Sequence, residues 1–441
     1  RCSDEGRSPH LILLCSRPSR QTAEGLITLD FSGSGVTRRA SVSVRKELKM
    51  DLKALAEKFN PYQIEMRRYF HAHPEPSTKE VETAKKIREE LTRAGIEWRP
   101  CGKNLTTGTL ATIHGGKPGK TFLLRGDIDG LSVKEKTGLP FASQNDGFMH
   151  ACGHDCHISM LLTAVMIANS IRDEIPGTIK FIFQPAEEVA LGALDMMADG
   201  VLDGVDGMFG MHVWSELPAG QVSLEAGGRM AATDQFEITI TGKSGHAALP
   251  HKCVDATPCM AATIMDLQTV VSRQVNPVSP LVLTVGKVTS GTRWNVISGS
   301  AKIEGTVRSL DSESRDMAEE SVKRIAANTA ASYRCTAEVK YDRLCDNVYN
   351  DPEITAFGRE AAKTILGPDA LPNTPPTMGG EDFGFYCSKV KAAFALFGVG
   401  NAACNACYPQ HSDHYTVDES TLVKGALLSV QTALNFLNAN K

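Results

Sequence analysis

The sequence predicts an α/β protein: a large, mainly parallel sheet covered by helices on both faces, with a small ferredoxin-like α+β unit inserted into it. Three observations carry this. Short apolar runs alternate with helical stretches from about residue 107. Near Asp234 the pattern becomes apolar–polar alternation in the order β-α-β-β-α-β, and after about residue 345 buried, apolar strands return. The expected boundaries are 50–233 with 346–441 for the large domain, and 234–345 for an inserted lid or dimerisation domain. A chain of 441 residues is also too long for one ordinary domain.

Residues 1–49 stand apart. They are rich in Arg and Ser, show no sustained period and lack an initiating Met, so they read as a disordered leader or an artefact of start assignment. "HLILLC" is too short for a secretory signal core. A transit peptide is the rival, opposed by Asp4, Glu5, Glu24 and Asp30. From Met50 to about Arg93 apolar residues fall at helical spacing, broken at "HAHPEPS". "TFLLRGDID" (121–129) reads as a buried strand, and "ISMLLTAVMIANSI" (158–171), apolar nearly all round, as a buried helix. "TIKFIFQPAEE" is a strand stopped by Pro185, and "GMFGMHV" is a strand ending near His212. In the insert, strands are expected at "QFEITITGKSG", 281–289, 300–308 and 336–342, with helices at about 254–274 and 312–332. "AAFALFGVG" (392–400) is a further buried strand, and a helix over about 419–438 ends the chain.

Composition excludes some functions. Net charge is −4, so nucleic acid is not an expected partner. No apolar run reaches the roughly 18 residues of a membrane span. Twelve cysteines scattered through so long a chain fit the reduced thiols of a cytoplasmic enzyme, with organellar targeting by residues 1–49 left open.

Chemistry-bearing residues recur at strand ends. Asp127 and Asp129 end one strand, Glu187 and Glu188 follow another, His212 ends a third, and His411 follows the strand at 392–400. The carboxyl ends of parallel strands share one edge, where active-site crevices form. "MHACGHDCH" adds Cys152 and His154, whose i, i+2 spacing in an extended segment would face both toward one ion. Thiolate and imidazole suit zinc and its neighbours. Asp155 is placed as the N-cap of the next helix or as a support for the ligands, and His157 as a cleft residue. Adjacent carboxylates diverge, so one of Glu187 and Glu188 can bind a metal while the other takes a proton from water. Asp127 and Asp129 are expected to orient ligands rather than bind metal. His71 and His73, before Pro74, are candidates for the cleft, and Glu381 in "GGEDFGFY" for the metal's surroundings.

As a set, "RRYFHAHPEPS", "LLRGDIDGLSVKEKTG", "MHACGHDCH", "FQPAEE", "GMHVWSELPAG", "GKSGHAALPH", "NVISGSAKIEGTVRSL", "GGEDFGFY" and "HSDHYTVDE" resemble the aminoacylase-like di-metal peptidase family, from about residue 65 to the end. The branch that this looks like holds hippurate hydrolases, N-acyl-amino-acid amidohydrolases and plant auxin-conjugate hydrolases. The resemblance implies that Cys152, His154, Glu188, His212 and His411 hold two divalent ions, manganese or zinc. It implies that Glu187 is the general base, and that His246, Asn295 and Arg308 of the insert meet the substrate. His246 is similar to a residue that in some members reaches across a homodimer formed through the inserted domain. The expected activity is hydrolysis of an N-acyl amino acid or small peptide-like conjugate. A dipeptidase or aminobenzoyl-glutamate-type carboxypeptidase of the same family is the alternative. A thiol hydrolase using Cys152, and a non-catalytic metal-binding homodimer, are rivals from other classes. The sequence departs from the family's pattern at Gly126, at Cys156, which could be a spare ligand or oxidisable thiol, and at His414, a rival to His411. Cys404 and Cys407 could form a separate metal or redox site.

Overall fold

The structure is a computed structural model that describes residues 51–441, and the leader expected at 1–49 lies outside them. A seven-stranded sheet forms the centre, in the order Glu97–Pro100, Thr109–His114, Pro176–Gln184, Lys117–Asp127, Gly207–Pro218, Ala392–Gly400 and Val222–Ser223. Its four inner strands, from Pro176–Gln184 to Ala392–Gly400, run parallel, and the flanking strands are antiparallel. Consecutive side chains of these inner strands face opposite sides. Phe122 and Leu124 join one apolar cluster and Leu123 the other; Phe181 and Phe183 are separated from Ile182 in the same way. Burial on both faces is why these strands read as unbroken apolar runs rather than alternating ones.

One face is covered by the helices Leu52–Ala72, His154–Ser170, Pro352–Leu366 and Leu422–Ala439. The His154–Ser170 helix is buried around almost its whole circumference, as its composition predicts. Residues 232–345 build a second sheet, ordered Leu281–Ser290, Ser300–Ser309, Ala232–Thr241, Thr336–Cys345, with every pair antiparallel. The helices Ala256–Thr269 and Ser312–Ser332 pack on one face of it around Phe236, Ile238 and Ile240. The other face carries alternate, more exposed residues such as Gln235 and Glu237.

Several local expectations need correction. The helix expected from Ile158 begins at His154. His212 does not end its strand, which continues to Pro218. The insert's first helix ends at Thr269 and passes into a π turn at Val270–Gln274. The Pro352–Leu366 helix was not anticipated, although its start was signalled: Asp351 caps it by accepting from Glu353 N (2.9 Å) and Ile354 N (3.1 Å), and Pro352 needs no hydrogen bond there.

Phe122 is fully buried between the central sheet and the last helix, its ring centroid 4.8 Å from that of Phe436. Phe122→Ala should cost about 3–5 kcal/mol, read as a lower midpoint in equilibrium urea unfolding.

Candidate active site

The carboxyl edge of the parallel strands gathers the residues in question. Gly153 joins Cys152 to the helix that starts at His154, with a left-handed φ of 92°. A Cβ there would lie 2.5 Å from Val213 Cγ2 and 2.8 Å from the Tyr415 hydroxyl oxygen, so conformation and space both require glycine. Cys152 and His154 therefore do not share one side of an extended segment. A sharp bend brings them together instead. Cys152 Sγ lies 3.2 Å from His212 Nε2, and Cys152, His154 and His212 each place a ligand atom within 4.8 Å of the others.

The two glutamates sit on a tight loop after the Pro176–Gln184 strand. Ala186 and Ala190 have left-handed φ of 55° and 52°. The buried Glu80 carboxylate accepts from Ala186 N at 2.9 Å, and Asp129 Oδ2 accepts from Glu188 N at 3.1 Å. Thus fixed, Glu188 Oε1 lies 3.8 Å from His154 Nε2 and 3.7 Å from His411 Nε2, and Glu187 Oε2 lies 4.0 Å from His154 Nε2. His411 has a φ of 68°, is 57% exposed, and donates its backbone N–H to Ala151 O at 2.8 Å.

Carboxylates behind the imidazoles set their orientation. Asp129 Oδ1 lies 3.2 Å from His154 Nδ1 and accepts a hydrogen bond from it, and Asp129 Oδ2 also accepts from Ser77 at 2.7 Å. Asp127 pairs with His157 Nδ1, while His157 Nε2 accepts from Val213 N at 2.9 Å. Both His157 nitrogens are thus engaged, and the ring is buried rather than lining the cleft. Asp155 does not cap its helix. It binds Arg67 Nε at 2.9 Å and His71 Nδ1 at 2.8 Å in a buried network that continues to Glu135 and Glu419. This occupies His71, while His73 bonds to Tyr69 O and stacks on Tyr69, so neither lines the cleft.

Sequence reasoning missed Arg125. Its side chain is fully buried and donates to Gln184 Oε1 at 3.0 Å, Glu381 Oε1 at 2.8 Å and Asp382 Oδ1 at 2.8 Å, and also pairs with Asp127. Glu381, Asp382 and Glu187 offer oxygens within 4.8 Å of one another. Arg125 stands just ahead of the two acids of "RGDID", and a charged residue inside a buried strand was the available signal.

Burial, with Glu381, Asp382 and Glu188 close by, holds the Glu187 carboxyl well above the usual range, which raises its affinity for a proton. Burial opposes a charge on His154, yet Asp127 and Asp129 push it up to about 10. The same acidic surroundings favour a divalent cation. Burial and the adjacent His157 hold His212 well below its ordinary value, in the neutral form that ligates metals. Burial, with Glu188 and Glu187, holds the Cys152 thiol well up, so it is a poor nucleophile without a cation beside it.

A cleft of about 1030 Å³ opens over these residues, lined by Cys152, Glu187, Glu188, His212 and His411 and, from the insert, by Arg308. His246 and Asn295 do not line it: His246 is exposed on the short Gly245–His246 strand paired with Val296–Ile297. Cys156 is fully buried outside any of the donor clusters among the described residues, which removes it as a spare ligand or accessible thiol. His414 pairs with Asp413 at 2.6 Å and stacks on Tyr408, away from the other donors. Cys404 and Cys407 are exposed, each hydrogen-bonded to a backbone carbonyl, and lie outside any such donor cluster among the described residues.

Residues 123–435 match the model of peptidase family M20/M25/M40. The chain belongs to this family. It is 38% identical over 400 residues to the N-acetyl-L-cysteine deacetylase of Bacillus subtilis (strain 168), covering 89% of this chain and 94% of that one. It is 40% identical over 296 residues to the N-acyl-L-amino acid amidohydrolase of Geobacillus stearothermophilus, covering 67% and 79%. Among solved structures it resembles the Bacillus subtilis YXEP protein, described as a dinuclear metal binding peptidase, with a TM-score of 0.78, 36% identity and coverage of 87% and 99%. This M20 chain is thus a metal-dependent hydrolase of amide bonds that works with two divalent ions. Its own residues fit such ions. His154 Nε2 and Glu188 Oε1 are buried without a hydrogen-bond partner, and both face the donor cluster. Buried polar atoms are rarely left unpaired, and a cation would satisfy both.

Two outcomes are expected. Gly153→Ala should destabilise the protein by about 1–3 kcal/mol, visible in thermal unfolding. Asp129→Ala, which frees His154 and the Glu188 backbone, should weaken divalent-ion affinity roughly 10–100-fold in chelator competition.

Proposed function

We propose that this M20 enzyme cleaves the amide of N-acyl amino acids or small peptide-like conjugates, with Glu187 as general base and Cys152, His154, Glu188, His212 and His411 holding two manganese or zinc ions. The observation that carries this reading is the cleft itself: Glu187 and Arg308 line the same cavity. Arg308 is half-buried and bonded to Thr233, and among the described residues no carboxylate lies within ion-pair distance of it. Its guanidinium is free to grip a substrate carboxylate with two parallel bonds. A carboxylate-bearing amide held there would present its carbonyl near Glu187. The Glu187 carboxylate takes the proton of the attacking water and returns it to the leaving amine. Bound divalent ions supply Lewis acidity toward the carbonyl and lower the pKa of water. The raised Cys152 thiol speaks against the thiol-hydrolase alternative.

We also take residues 234–345 as the inserted lid and dimerisation domain of a cytoplasmic homodimer. His246 lies outside its own chain's cleft, and a second copy docked through the insert would bring a His246 to it.

Three outcomes follow. Glu187→Gln should lower kcat at least about 10³-fold on N-acyl amino acids with little change in bound metal. Chelation should abolish the wild-type activity and added manganese or zinc restore it, whereas alkylation-sensitive turnover that survives chelation would favour Cys152 as nucleophile. Mixing inactive Glu187→Gln and His246→Ala chains should recover up to about a quarter of wild-type activity, because one mixed site in a heterodimer holds both intact groups. No recovery after verified subunit exchange would remove the second copy from the site.

A further inference from the structure

We infer that Val189, Leu191 and Leu194 form an acyl subsite that selects substrates with a bulky aliphatic or aromatic acyl group. This rests on the amidohydrolase reading above and names the half of the substrate that reading leaves open. The three side chains are 50%, 51% and 44% exposed, and all line the catalytic cleft directly after Glu187 and Glu188. Large aliphatic side chains grouped on the wall of a cleft, rather than scattered over the surface, mark a place where a ligand covers them.

Their exposure is not a by-product of a loose loop. Ala190 N donates to Glu187 O at 2.8 Å, and Leu191 N and Gly192 N both donate to Ala186 O at 3.2 Å. Ala193 N donates to the buried Asp382 Oδ2 at 3.1 Å. A Cβ on Gly192 would lie 1.7 Å from Pro185 O, so the chain packs there as closely as a backbone can. The segment that aims the glutamates therefore also holds the aliphatic side chains in place.

The occupant follows from charge and size. Arg308 answers the carboxylate of the amino-acid half. The aliphatic wall offers neither charge nor hydrogen bond, and so answers the acyl half. A cleft of about 1030 Å³ is far larger than an acetyl group needs and is at the upper end of the roughly 300–1000 Å³ typical of small-molecule sites.

The test compares kcat/KM for N-acetyl-, N-octanoyl- and N-benzoyl-alanine in wild type, Leu191→Ser and Leu194→Ser, with N-octanoyl-leucine as a control for the amine half. Wild type should prefer octanoyl and benzoyl over acetyl by at least about tenfold, and each variant should cut that ratio by about tenfold. Both positions are exposed, so melting temperatures should stay close to wild type and confirm folding. A flat acyl profile in wild type, or a ratio that the variants leave unchanged, would overturn the subsite. A change confined to the leucine-to-alanine ratio would also overturn it, by moving the wall to the amine half. In each of these cases Glu187-dependent hydrolysis would persist, so the underlying reading would stand. If wild type hydrolysed none of the amides with Glu187 dependence, both would fall.

Discussion

Buried negative charge governs this molecule. Asp127, Asp129, Glu187, Glu188, Glu381 and Asp382 converge at the carboxyl edge of the parallel strands, each largely or wholly shielded from water. Carboxylates cannot stay ionised together in a poorly solvated region without cations close by. Arg125 meets part of that demand, touching Asp127, Glu381 and Asp382 at once. On the opposite side of Glu187 the neighbours are imidazoles and a thiol, with two buried atoms lacking partners. Divalent ions held by these donors, as proposed, would complete the balance there. One half of the site is thus neutralised by a guanidinium, and in the proposed reading the other half is neutralised by exchangeable cations.

That division explains local features that are otherwise costly. Ala186, Ala190, His411 and Gly153 all adopt left-handed backbone conformations, and all lie on the segments that carry the cluster. Such strain persists where surrounding contacts fix it. Glu80 and Asp129 fix the glutamate loop through its backbone N–H groups, and the Ala151 carbonyl fixes His411. The charged network of Arg67, Asp155, His71, Glu135 and Glu419 braces the helix start that carries His154.

Much of this was legible in the sequence, for identifiable reasons. Strands buried on both faces have to be apolar throughout, so "TFLLRGDID" and "TIKFIFQ" announced the parallel core. The half-exposed second sheet has to alternate, so "QFEITITG" announced the change of architecture. The carboxyl edge of the strands made a gathering of these side chains expected, and the family resemblance singled out Cys152, His154, Glu188, His212 and His411. Three things were not legible. The bend at Gly153 depends on Val213 and Tyr415, which are remote in sequence. Asp155 looked like a cap because its partners, Arg67 and His71, lie more than 80 residues away. Arg125 looked like one charge in a strand, because the acids it joins come from "RGDID" and from "GGEDFGFY", some 250 residues later.

The most direct test of this charge balance is the number of divalent ions bound per chain at equilibrium, measured by dialysis and elemental analysis. Two ions per wild-type chain, falling in Glu188→Ala while the fold is retained, is the expected result. A wild-type chain that stays folded and binds no divalent ion under saturating metal would contradict it.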